Sequence, residues 1–206
     1  MDSISAFTAS FLTPDDHRVA ASILFNAYQD DPLFKQILAD ENPEQYKQKL
    51  RAAIREELQS LWQQKQVLIG IFQEHKLVAL TAIADEYYCL GDDRQWHWRL
   101  KMMIGAGWYS TKELMAKEQL LKDRLKDVDY SLLHFIAVDP HYQGRGIGEQ
   151  LLKTADHWRR KYAAGQALAV FVPEGGPLSL FLNNGFHSEG QFVIDAVAGE
   201  LLLSEI

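Results

Sequence analysis

The stretch from Leu132 to Trp158, "LLHFIAVDPHYQGRGIGEQLLKTADHW", decides the fold. It continues a near-unbroken apolar run that starts at Tyr130 and ends at Val138, which predicts a strand buried on both faces in mid-sheet. Three glycines and an arginine then fall between Gly144 and Gly148. From about Glu149 to Ala163, Leu151, Leu152, Ala155, Trp158 and Tyr162 recur at helical spacing. Arg159, Arg160 and Lys161 sit near the carboxyl end, where the helix dipole favours cations, and Gly165 closes the helix. A buried strand, a glycine turn and a helix make an anion site. The first N–H groups of a helix have no intrahelical partner, the dipole is positive there, and glycine lets an oxygen approach the main chain. Gln143 to Gly148 is therefore a candidate pyrophosphate cradle, with Arg145 adding a charge-assisted contact. A P-loop requires Lys-Ser/Thr after its last glycine, and Glu149 stands there instead. The dinucleotide fingerprint Gly-x-Gly-x-x-Gly also fails: the spacing is Gly-x-Gly-x-Gly, and Asp139 to Tyr142 separate it from the strand.

Outward from this centre, strands and helices alternate. Residues 5–13, "SAFTASFLT", read as a first strand. A helix follows, with Thr13 as cap, Pro14 at the first helical position, Val19, Ile23 and Ala27 at helical spacing, and an end or bend at Pro32. Residues 42–64 form a second helix with an apolar stripe of Leu50, Ile54, Leu58, Leu61 and Trp62. Residues 66–86 read as a hairpin turning at Gln73 to Lys76. Residues 91–127 are mostly helical, broken near Gly105 and Gly107, and contain Trp96, Trp98, Trp108 and Tyr109. These aromatics either wall a pocket or pack helices onto the sheet. "ALAVFV" is a short buried strand, "PLSLFLNNGF" a short helix, and the tail supplies one or two last strands.

Composition bounds the rest. A chain of 206 residues with 47% hydrophobic and 24% charged residues fits one globular domain, residues 1–206, with a helical insertion at about 91–127. A net charge of −7 argues against nucleic acid as a partner, because phosphate neutralisation needs a cationic surplus. One cysteine, Cys89, cannot build a disulfide framework within the chain. "MDSISAFTASFL" has no basic leader region, and no apolar run reaches the roughly 18 residues of a membrane span. The expectation is a cytoplasmic protein without a membrane partner. No metal-ligand set is assigned.

The strand–turn–helix resembles motif A of the GNAT superfamily of N-acetyltransferases, whose signature Arg/Gln-x-x-Gly-x-Gly/Ala reads here as Gln143-x-x-Gly146-x-Gly148. "LAVFVPEGGPLSLFLNNGF" resembles motif B, a strand and short helix ending in Gly185-Phe186, and "YQDDPLF" resembles an upstream segment of many members. The resemblance implies an α+β, three-layer α/β/α fold. Its sheet is mixed and mainly antiparallel, with about seven strands flanked by helices and parallel strands four and five splayed apart. It implies acetyl-CoA as cosubstrate and acetyl transfer to a primary amine by direct attack in a ternary complex. The pantetheine arm would pair with the strand edge Ile136, Ala137 and Val138. The main chain of Gln143, Gly144, Arg145, Gly146, Ile147 and Gly148 would hold the pyrophosphate, and the Val138 N–H would serve as oxyanion donor.

The catalytic positions depart from the common pattern. Leu132 stands where many members carry a glutamate, Phe181 where many carry a tyrosine near the CoA sulfur, and Glu174 where an asparagine is usual. Phenylalanine donates no proton. Ser179, Asn183 and Asn184 are nearby polar groups. His134 is read on the same side of the strand as Leu132, Ile136 and Val138 by simple alternation, as a possible base or as a packed core histidine. Asp30, Asp31, Asp85 and Glu86 suit a cationic acceptor or are solvated surface. The alternative function is a non-catalytic acyl-CoA sensor or regulatory module of the same fold. "GELLLSEI" at the carboxyl end is a candidate strand for a homodimer.

Overall fold

The computed structural model describes residues 7–85, 88, 105, 108–194 and 196–205, without the side chains of 108–111 and 118. Seven strands form one sheet: β1 (Phe7–Phe11), β2 (Val67–Gln73), β3 (Lys76–Asp85), β4 (Tyr130–Val138), β5 (Ala167–Pro173), β6 (Phe186–Ile194) and β7 (Val197–Ser204). Their order is β1-β2-β3-β4-β5-β7-β6. Only β4 and β5 run parallel, and the remaining neighbours are antiparallel. The expected mixed sheet with parallel strands four and five is therefore present. The predicted hairpin turns at Glu74 and His75, both in the left-handed region.

Helices cover both faces. On one lie α1 (His17–Tyr28), α2 (Pro32–Ile37), α3 (Pro43–Gln63) and α4 (Trp108–Arg124). Their residues Leu24, Leu33, Ile54 and Leu121 join Leu80, Ala82, Leu132 and Phe135 of the sheet in one core. On the other lie α5 (Ile147–Tyr162) and α6 (Leu178–Leu182). Leu152 and Phe181 pack there on Ile83, Leu133 and Val170, while Ile147 and Leu151 pack on Ile71 and Val78. No helix among the described residues is long and apolar enough to cross a membrane.

Several expectations need correction. Pro32 does not merely end the first helix. It is the first residue of α2, whose N–H groups at Leu33 and Phe34 are capped by the Asp31 carboxylate. Trp62 is 38% exposed and leaves the α3 stripe, while Glu57 lies buried within it. Val19 and Tyr162 are exposed as well, because the apolar stripes of α1 and α5 are narrower than the sequence pattern. The carboxyl-terminal strand β7 lies between β5 and β6, so both its edges are already paired and it offers none to a second copy. Trp96, Trp98, Cys89 and Glu86 lie outside the described residues, as do the side chains of Trp108 and Tyr109 and most of the expected insertion at 91–127.

Candidate active site

The site begins with a bulge. Between β3 and β4, Ala82 faces Phe135 and the next residue, Ile83, faces Leu133, so His134 is an extra residue without an opposite number. The bulge overturns the expected alternation. Ile136 and Val138 turn to the α5 face, where they pack beside Leu133 or Ile147. His134 instead meets Glu57 of α3 on the opposite face, beside Phe135. Pairing of β4 with β5 stops at Leu132, immediately before the bulge. A bulge bends its strand and raises its twist. The two parallel strands part there, and a cavity of about 830 Å³ opens along β4 from Leu132 to Val138.

The unpaired edge is partly served from within. The Asp139 N–H bonds to Val78 on β3, so by alternation the N–H of Val138 and of Ile136 points away from β3, into the gap. The Ala137 main chain faces β3, opposite Leu80, and is not an edge. At Ile136 the Tyr28 hydroxyl from α1 both donates to the C=O and accepts from the N–H, each at 3.1 Å. Tyr28 packs edge-on against Phe34 and Phe135. Burial raises its hydroxyl pKa well above the ordinary value, so it stays protonated. The Val138 carbonyl accepts from Gln143 Nε2 at 3.2 Å, which ties the strand to the glycine turn.

The glycine turn lies at the other end of the cavity. Asp139 opens it by accepting the His141 N–H at 2.9 Å. Burial pushes the Asp139 carboxyl up, but that bond, the His141 ring and Lys76 outweigh it and hold it below the usual range. Gly144 and Gly146 have φ of 72° and 76°, and a Cβ on either would meet nothing within 4 Å. Their backbone therefore borders open space in a conformation that favours glycine. Gly148 differs: its Cβ would come within 3.3 Å of Leu180, so its smallness serves the packing of α5 on α6. Ile147, the first residue of α5, lines the cavity and is buried against Ile71 and Val78. Arg145 does not line the cavity. Its guanidinium donates to the His141 carbonyl at 3.1 Å and lies 5.1 Å from the Tyr142 ring centre, as does the Lys76 ammonium. Two cations thus stand beside the turn.

Opposite the turn, Glu57 Oε1 lies 2.8 Å from His134 Nε2 and accepts the Tyr88 hydroxyl at 2.6 Å. Sequence reasoning missed Glu57 and Tyr28. The signal for Glu57 was a carboxylate three residues after Ile54 and four before Leu61, inside an apolar stripe. Tyr28 carried no such mark. Asp30 and Asp31 border the cavity, whereas Asp85 does not. Burial raises the Asp31 pKa despite its two N–H partners. Phe181 lines the cavity, 1% exposed and edge-on to Phe186. Asn184, just past the short helix, donates to the Leu180 carbonyl within it at 2.8 Å.

The arrangement defines a class: an α/β/α sandwich whose parallel strands part beside a glycine-rich turn. The acetyltransferase (GNAT) domain family matches residues 115–188. No curated protein sequence matches the chain. Solved structures match it over nearly its whole length. The histone acetyltransferase HPA2 and related acetyltransferase from Corynebacterium glutamicum is 16% identical with a TM-score of 0.69, covering 96% of this chain and 94% of its own. A PaiA N-acetyltransferase from Thermoplasma acidophilum, solved with coenzyme A, is 12% identical with a TM-score of 0.60, covering 98% and 99%. An arylalkylamine N-acetyltransferase from the yellow fever mosquito is 14% identical with a TM-score of 0.65, covering 96% and 86%. These likenesses establish the fold. Residues 115–188 are thus similar to a GNAT acetyltransferase domain, a family whose chemistry is acetyl transfer from acetyl-CoA.

Proposed function

We propose that this protein is an acetyl-CoA-dependent N-acetyltransferase acting on a primary amine of a small molecule. The observation that carries the reading is the parting of β4 from β5 at Leu132, which opens a cavity continuous with the glycine cradle. Its volume of about 830 Å³ lies in the range that holds a single small ligand. The open backbone at Gly144 and Gly146 suits a pyrophosphate, and Lys76 and Arg145 add positive charge beside it.

In this reading the pantetheine arm runs along β4 and takes over the Ile136 groups that Tyr28 holds. The gap-facing N–H of Val138, seconded by that of Ile136, receives the thioester oxygen as it gains charge. The amine attacks the carbonyl carbon, the C–N bond forms, and the C–S bond breaks. The amine must lose a proton, and His134, on the cavity wall, accepts it. Phe181 offers nothing to the leaving sulfur, which departs as thiolate. A free thiol has a pKa of about 8.5, so that is tolerable near neutral pH.

Calorimetry with acetyl-CoA, using ADP as control, tests the first half of this reading. Thiol release against amines such as agmatine and arylalkylamines, the chemistries named for structural neighbours, tests the second. Tight acetyl-CoA binding, weak ADP binding and turnover are expected. Acetyl-CoA binding without turnover across the panel would favour the sensor, a reading that Phe181 also supports. No acetyl-CoA binding would overturn both.

A further inference from the structure

Glu57 is out of place in its helix. Leu50, Ala53, Ile54, Leu58 and Leu61 make the buried stripe of α3, and a leucine at 57 would complete it. Burying a carboxylate there costs several kcal/mol that only good partners offset. The partners are present: the Tyr88 hydroxyl at 2.6 Å and His134 Nε2 at 2.8 Å, with the His134 and Glu57 side chains 3% and 7% exposed. Burial pushes the Glu57 carboxyl up, but the His134 ring and the Tyr88 hydroxyl, with Lys117 of α4, outweigh it and hold the group below its ordinary range. An ionised carboxylate only accepts, so the hydrogen between it and the ring sits on Nε2. In the neutral ring Nδ1 is then the nitrogen that can take a proton.

The other groups around His134 fit this assignment. The rings of Tyr88 and Phe135 stand edge-on at 5.5 and 4.9 Å and fix its plane. Lys117 and Glu57 share with it a second cavity of about 20 Å³, the size of one water. Tyr28, Asp31 and Lys117 share the large cavity with it.

We propose that Glu57 is a positioning residue for acetyl transfer: its carboxylate fixes His134 in the Nε2–H tautomer and stabilises the imidazolium formed when Nδ1 takes the proton of the attacking amine. This rests on His134 as the proton acceptor. The amine nitrogen bonds to the carbonyl carbon and its proton passes to Nδ1. The thiolate leaves and draws a proton from solvent, and the imidazolium returns its own to solvent.

The test reads His134 directly, by 15N ring shifts across pH in the wild-type protein and in Glu57→Gln. In the wild type the neutral ring is expected to be protonated at Nε2. In Glu57→Gln that tautomer is expected to lose its fixed place, because a neutral amide can either accept from Nε2–H or donate to a bare Nε2. A wild-type neutral ring protonated at Nδ1, or an unchanged tautomer in folded Glu57→Gln, overturns the proposal. If that variant does not fold, the wild-type tautomer decides. Kinetics with acetyl-CoA and the best amine of the panel should show kcat down at least about tenfold in Glu57→Gln, with KM for acetyl-CoA unchanged. Glu57→Asp, which keeps the charge, should restore part of the rate. His134→Gln separates the two assignments. An unchanged rate and acidic limb there would remove the proton-acceptor reading. Their loss in His134→Gln alone, with Glu57→Gln unaffected, would remove only the role of Glu57.

Discussion

Tyr28 holds two main-chain groups of β4 in the gap where a cosubstrate arm is proposed to pair. Binding there must replace both bonds, and each is worth about 1 kcal/mol net. Tyr28→Phe keeps the ring packing on Phe34 and Phe135 and removes the competitor. The expected outcome is a lower melting temperature for the free protein and acetyl-CoA binding tighter by roughly tenfold, read by scanning fluorimetry and calorimetry. Unchanged affinity would mean that Tyr28 keeps its bonds and the arm pairs elsewhere. Gly146 tests the opposite end. A side chain there meets no protein atom but is forced to a φ of 76°, which costs about 1–2 kcal/mol. Gly146→Glu adds a carboxylate in the cradle and should lower acetyl-CoA affinity by more than about 100-fold while the protein stays folded. Gly148→Ala provides the contrast: its Cβ presses on the movable end of Leu180, so stability should fall slightly and affinity little.

Among the elements, β4 shows best what the sequence discloses and what it withholds. Its span, its burial and the glycine turn after it are legible because they are local: an apolar run, then residues that permit positive φ. The bulge is not, because an inserted residue is defined only by register against β3, and that register is set by residues some 50 positions earlier in the chain. Reading Tyr130 to Val138 as a regular strand therefore keeps His134 with Leu132, where it lies, but wrongly puts Ile136 and Val138 on that same face. The same locality explains α3: a stripe traced through apolar residues alone takes in Trp62 and steps over Glu57, whose partners lie on other elements. Phe181 in place of tyrosine, by contrast, is legible from the motif itself. The bulge carries a prediction. Deleting His134 should regularise the β3–β4 ladder, because Leu133 and Phe135 already occupy opposite faces. Combined with Glu57→Leu, so that no buried carboxylate is stranded, the protein should fold with wild-type circular dichroism. With the bend gone, β4 and β5 should pair past Leu132 and acetyl-CoA binding should be lost. Binding retained in that variant would show that the gap does not depend on the bulge.

At the scale of the whole molecule, buried or half-buried carboxylates tie each helical layer to the central strands. On one face Glu57 joins α3 to β4 through His134. On the other, Asp156 holds Arg159, itself 2% exposed, whose guanidinium also reaches the Gln166 carbonyl at 2.9 Å ahead of β5. Asp139 fixes the turn between β4 and α5. All three carboxyls are pushed up by burial, and in all three the donors and cations around them win, leaving their pKa values below the ordinary 4.5 of Glu and 3.8 of Asp. A folded-state value below the unfolded one means that the unfolded chain binds protons first as pH falls. The stabilisation is complete above the ordinary carboxylate range, declines as pH drops through it, and is gone below the folded-state values. The melting temperature should therefore hold from pH 7 to about 5 and then fall between about 5 and 3. Glu57→Gln should flatten that fall, since the group removed is deeply buried and its partner His134 lies in the core. Asp156→Asn should flatten it less, because Asp156 is 34% exposed and solvent screens its ion pairs. Scanning fluorimetry over a pH series on the three proteins decides the matter. Parallel curves for all three would place the acid-sensitive group elsewhere and would leave Glu57 without the charge in the folded protein that its contacts to His134 and Tyr88 imply.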